Sequence, residues 1–376
     1  MFHPEYIVNN KVNWCCLAEN PNAVHIVERY IDKLKIYDNF WRYLSRNPNA
    51  IHILEKNLYK VYWMFLSQNP NAIHLLEKNL DKVNWEGLSL NPNGIHLLEK
   101  NLNKANWFYL SANPNAIPIL ERNLDKLNWS YLSSNPNAIP ILEKNIDKIV
   151  WWVLSSNPNA IPILEKNLDK VDWVFLSTNP SAIHLLEKNL DKVDWGYLSQ
   201  NPNAIHLLEK NLDEVDWYWL SGNPNAIPIL EKNLDKVEWD YLSGNPNAIH
   251  LLEQNMDKLN EWCWFGLTKN VNAVHLLEQN SDKVWWYDLP YNQNPNAIHL
   301  IEKKMEKKEN INWFNWNGLS SNPNAIHLLA RLNTEKMREN CKAFAEELAA
   351  YVFHPARLLR ICNTYGLELE QYFDLV

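Results

Sequence analysis

The chain has 376 residues, 46% of them hydrophobic, with 19 Trp and 20 Pro but only 8 Gly, and a net charge of −8. That much apolar material excludes wholesale disorder, and an acidic balance with both signs scattered offers no basic stripe for a phosphate backbone. Five cysteines (Cys15, Cys16, Cys263, Cys341, Cys362) without metal-ligand spacing favour a reducing compartment over a disulfide framework.

From the N-terminus, MFHPEYIVNN carries neither a basic n-region nor an apolar h-region, so no signal peptide is expected. No stretch approaches the ~18 apolar residues of a membrane span, and the chain reads as soluble and intracellular. Residues 1–19 form a half-unit in which Val12, Trp14 and Leu17 match the second half of a repeat, and it is expected to cap a tandem array.

The repeat is NPNAIHLLEKNLDKVxWxxLSx. Its first Asn falls at fourteen positions, Asn20, Asn47, Asn69, Asn91, Asn113, Asn135, Asn157, Asn179, Asn201, Asn223, Asn245, Asn270, Asn294 and Asn322. Nine consecutive intervals between Asn47 and Asn245 are 22 residues, and the outer ones are 27, 25, 24 and 28. Trp keeps the same step from Trp41 to Trp239. A period of this length marks a solenoid.

Within residues 157–178, Asn159 is the expected N-cap of a first helix over 160–166, as Ser181 would be in the next unit. Pro162 then falls third in that helix, where its missing N–H costs little, as do Pro118, Pro140 and Pro228 in their units. Asn167 reads as a left-handed stop. Asp169 reads as the cap of a second helix over 170–177, with Asp172 in the capping-box position. No period-2 segment argues for strands. Neither helix would persist alone, so stability must come from stacking.

The sequence therefore predicts an all-α fold, an α-solenoid of about fourteen two-helix units spanning residues 20–333. At ~8–10 Å per layer it would be an elongated, curved array on the order of 100 Å or more. Val171 and Phe175 share a face with Trp173 and Leu176 beside them, the expected inter-helix interface. The Trp ladder reads as the spine, and Trp151→Ala or Trp173→Ala is expected to cost ~3–5 kcal/mol. A row of stacking platforms for bases or sugars is the functional alternative. Residues 334–376 are expected to form a divergent helical C-terminal cap, with a docking module as the sharper reading.

Chemistry is sparse. Ten units carry a His after the Ile or Val, among them His52, His96, His184, His250 and His275. Equivalent residues in stacked helices lie too far apart to converge on one ion, and Pro interrupts the series in four units, so each His is read as bonding a neighbouring loop. Cys341 or Cys362 with His354 is the one nucleophile–base pairing to name, and a structural role is the plainer reading. Neither a phosphate loop nor a nucleophile elbow appears. No enzyme, cofactor or metal site is expected.

The positions that vary while their surroundings stay fixed are the residue after the Trp and the one four further on, which share a stripe of the second helix. Met64, Gln68, Glu86, Leu90, Phe108, Trp152, Val174 and Tyr218 make this stripe the candidate partner-binding ridge. Drift on an exposed face explains variation as such, but large apolar residues on a solvent stripe point to a partner.

The phrase NPNAIHLLEKNLDKVDW and the FHPARLLR-containing tail resemble repeat proteins that giant DNA viruses (mimivirus-like and phycodnavirus-like) encode in numbers. The resemblance covers nearly the whole chain. It implies an ankyrin-like, non-catalytic role in binding host or viral proteins in the host cytoplasm, or on the virion. A structural component of a virion, which would self-associate, is the alternative, and a nucleic-acid binder is the weakest candidate.

Overall fold

The computed structural model describes residues 6–8, 10–32, 38–306, 315–332 and Leu358. The chain divides into two compact units, Lys11–Ile326 and a smaller one that joins Met1–Asn10 to His327–Val376. In the smaller unit, β1 (Tyr6–Val8) pairs antiparallel with β2 (Ala330–Leu332), Ile7 opposite Arg331. Apart from Leu358, the expected C-terminal cap and the Cys341, Cys362 and His354 grouping lie outside the described residues.

Lys11–Ile326 is an α-solenoid. Each unit places a first helix such as Ile161–Glu165 before a second such as Trp173–Thr178. The buried core between them recurs: Ala160, Ile163, Leu164, Val171 and Leu176 in this unit, with counterparts in the others.

The local chemistry differs from the expected capping. Asn157 Oδ1 accepts from the Asn159 N–H at 3.1 Å, so the first Asn makes the turn. Asn159 instead donates its Nδ2 to Pro136 O of the preceding unit. The first helix begins at Ile161, which brings Pro162 into the first two positions, where no N–H is missed. Asn167 ends the helix by donating Nδ2 to Ile163 O at 2.8 Å, one turn back. Its equivalents Asn123 and Asn145 have φ of −137° and −135°, so no left-handed residue is involved. The cap of the second helix is Asp172 and not Asp169, accepting from Val174 N and Phe175 N. Asp172 wins because Val171 is buried and Asp172 itself is extended (φ −84°, ψ 105°), which delays the helix to Trp173.

The joint between units is polar. Asn157, 3% exposed, donates Nδ2 to Ser133 O at 3.0 Å and to Asn135 O at 3.3 Å, at the end of the preceding second helix, Trp129–Ser134. Every hydrogen-bonding group of that buried amide is used, the condition for burying it without loss. Ser155 Oγ donates to Trp151 O and accepts the Asp172 N–H of the next unit. The same Asn and Ser (or Thr) bonds recur along the array.

The thirteenth unit starts at Asn292, not Asn294. Asn292 donates to Thr268 O and Asn270 O, restoring an interval of 22 residues. Leu289, fully buried three residues before Asn292, sets this register as Leu176 does before Asn179. The NPN at 294–296 then opens a longer helix, Pro295–Glu306.

The elongated array is also replaced. Successive second helices pack directly from Trp14–Glu19 onward, with the turn Leu289–Tyr291 standing in at the twelfth unit, and Trp316–Ser321 packs on both that turn and Trp14–Glu19. The bonds there are those of every other joint: Asn20 Nδ2 donates to Ser320 O and Asn322 O, both at 3.1 Å. Asn22 donates to Pro323 O, and Ser320 Oγ accepts the Asn13 N–H. The array is closed on itself. Solenoid curvature comes from a small rotation per unit, and fourteen steps of about 26° complete a turn. The half-unit before Asn20 joins the two ends instead of capping one.

Candidate functional site: the second-helix ridge

Successive second helices approach closely, whereas successive first helices meet chiefly through side chains. Their pairs include His96–Glu77 at 2.8 Å and His250–Glu231 at 2.7 Å, so these His bind a Glu of the preceding first helix and not a loop. Where Pro replaces His, Arg122 takes Glu99 and Lys232 takes Glu209. The Lys232 ammonium holds the Glu209 carboxyl below its usual range through a hydrogen bond and its charge. These exposed pairs add little stability each. Among the described residues no group of three or more His, Cys, Asp or Glu could hold a metal ion. No described helix is long and apolar enough to cross a membrane.

The Trp ladder is half-buried, with Trp41 and Trp264 the fully buried members. A lysine of the next unit covers it: Lys82 over Trp63 at 5.5 Å, Lys148 over Trp129 at 5.2 Å, Lys192 over Trp173 at 5.0 Å. The contact repeats at the closure, Lys11 over Trp316 at 5.6 Å. A covered indole is a poor stacking platform, and the fully buried Leu and Asn, not Trp, form the spine.

Of the sequence-derived ridge, Met64, Glu86, Leu90, Phe108, Trp152, Val174 and Tyr218 are exposed and Gln68 is half-buried. Among the described residues no ring contact joins one of these aromatics to another. What links them is the residue two after the ladder Trp in the next unit: Phe108 packs on Tyr131 (centroids 4.1 Å apart), Trp152 on Phe175 (5.4 Å) and Tyr218 on Tyr241 (3.6 Å). Such offset and tilted contacts suit aromatic quadrupoles. Glu86 follows the same geometry. Its carboxylate beside Tyr109 holds that phenol above the usual range, by charge and a hydrogen bond. At Met64 the partner is Gly87, where a Cβ would come within 2.6 Å of the Met64 carbonyl.

Phe175 therefore meets the adjacent unit, through Trp152, but on the exposed ridge and not in the buried core. It is 38% exposed and joins the ridge, as do Tyr197, Trp219 and Tyr241. The signal for this second stripe was present in the repeated Tyr at that position, since Tyr suits a site with one apolar and one wet side. Trp152, 51% exposed, is among the most open of the ridge side chains.

Beyond the regular units, Cys263 is buried and its Sγ lies 3.2 Å from Asp240 Oδ1. Burial, then the Asp240 hydrogen bond, push its thiol up to about 11, far from a reactive thiolate. No protein-family model, curated protein or solved structure matches the chain.

Proposed function

We propose that the protein is a non-catalytic protein-interaction scaffold that binds its partner through the second-helix ridge. The observation that carries this reading is the pairing of exposed aromatics across successive joints, Phe108 with Tyr131, Trp152 with Phe175 and Tyr218 with Tyr241. A surface built to stay solvated would place polar residues there. Clustered aromatic side chains on a rigid support are the usual anchors of protein interfaces. Variation at these positions beside an unchanging joint lets one framework present different contacts without altering its packing. The resemblance to giant-virus repeat proteins supports a partner of host or viral origin.

The test is the combined substitution Phe108→Asp, Trp152→Asp and Tyr218→Asp. Capture of partners from lysate, quantified by mass spectrometry, should fall to background while the circular-dichroism spectrum is kept. Full capture by the triple variant would show that another surface binds.

A further inference from the structure

The chain repeatedly places a cation over an aromatic face. In one cluster, Trp262, Phe265 and Trp285, Phe265 has its cation (Lys269 at 3.8 Å) while the two indoles have none among the described residues. Where the interval lengthens to 25 residues, the extra segment around Asn260 and Glu261 opens a pocket of about 640 Å³. Trp285 and Tyr287 line it together with the carboxylates Glu261 and Asp282. Trp262, 63% exposed, has its ring 6.1 Å from Trp285, and Tyr287 is 61% exposed. The cation of the lining, Lys283, sits over Trp264 at 4.9 Å, and Lys304 sits over the lining indole of Trp286 at 4.0 Å. Among the described residues none of the cation–ring contacts involves Trp262, Trp285 or Tyr287.

The molecule shows elsewhere what completes such a site. Arg46 lies with its guanidinium carbon 4.1 Å from the Phe65 ring centre and a nitrogen 3.9 Å from the Glu19 carboxylate. A planar guanidinium can stack on an aromatic face while its edge meets a carboxylate, which an ammonium does less well. We infer that this pocket takes an arginine side chain presented by a protein partner. The guanidinium stacks on Trp285 and is held by Glu261 and Asp282. The inference rests on the interaction-scaffold reading but uses a different surface, so its test is separate from capture by the ridge.

The full chain labelled with 5-fluorotryptophan, with Trp285 assigned through Trp285→Phe, is titrated by fluorine NMR with a Gly-Arg-Gly peptide and its citrulline counterpart. The arginine peptide should shift the Trp285 signal saturably, and citrulline should not. Glu261→Gln with Asp282→Asn should weaken binding by about tenfold or more. Both carboxylates are exposed, so the fold is retained. No shift with arginine, an equal shift with citrulline, or unchanged affinity in the double variant would overturn the assignment.

Discussion

The joint that closes the array and a joint in its middle make the same contacts, although one spans about 300 residues of chain and the other 22. At the closure, Asn20 Nδ2 meets two carbonyls at 3.1 Å, Asn22 meets Pro323 O at 3.2 Å, and Ser320 Oγ accepts at 3.0 Å. In the middle, Asn157 meets its carbonyls at 3.0 and 3.3 Å, Asn159 meets Pro136 O at 3.0 Å, and Ser133 Oγ accepts at 3.2 Å. Joint geometry thus follows from the side chains at the face and not from covalent adjacency. The closed array has no free solenoid end within Lys11–Ile326, so neither end needs a polar cap.

The largest expected effect comes from putting a carboxylate where the amide donates. Asn157→Asp removes both Nδ2 donors, leaves the buried Ser133 carbonyl unpaired and sets a negative charge beside it and the Asn135 carbonyl, which keeps only the Ala138 N–H. A loss of about 3–5 kcal/mol is expected in denaturant unfolding. Asn20→Asp should cost a similar amount. In an open array Asn20 would face solvent on that side, and the cost would be near zero.

Next in size is Trp151→Ala. Its half-buried indole under Lys170 (5.3 Å) lowers the expectation for a core Trp to roughly 2 kcal/mol. A loss above about 4 kcal/mol would return the Trp ladder to the role of spine. The ridge triple gives up three aromatic pairs of roughly 0.5–1.5 kcal/mol each, so it should cost about as much as Trp151→Ala while the fold is retained. Lys170→Ala, which removes only the cation, should cost under about 1 kcal/mol, measured by thermal melt.

Much of this was legible in the sequence. The 22-residue period gave the two-helix solenoid, and the stripe of large apolar residues gave the ridge. Three things were hidden for physical reasons. Capping was misplaced because a unit with Asn, Asp and Ser at several positions offers several caps, and only the buried Val171 and Leu176 select among them. The register at Asn292 was hidden because two Asn compete two residues apart, and the core position of Leu289 decides. Closure was hidden because a small rotation per unit leaves no mark in local composition. The invariance of Asn and Ser at all or nearly all units was the unused signal, since a polar residue kept in a stacked core must be bonded.

Closure is the central claim, and distance between spin labels tests it most directly. Labels at Asn22 and Asn324, in a background with the native cysteines replaced by serine, occupy equivalent positions across the closure. Labels at Asn137 and Asn159 occupy the same positions across an interior joint. The closed array predicts two short, superimposable distance distributions from electron–electron double resonance. A long and broad distribution for Asn22 and Asn324 beside a short one for Asn137 and Asn159 would contradict it.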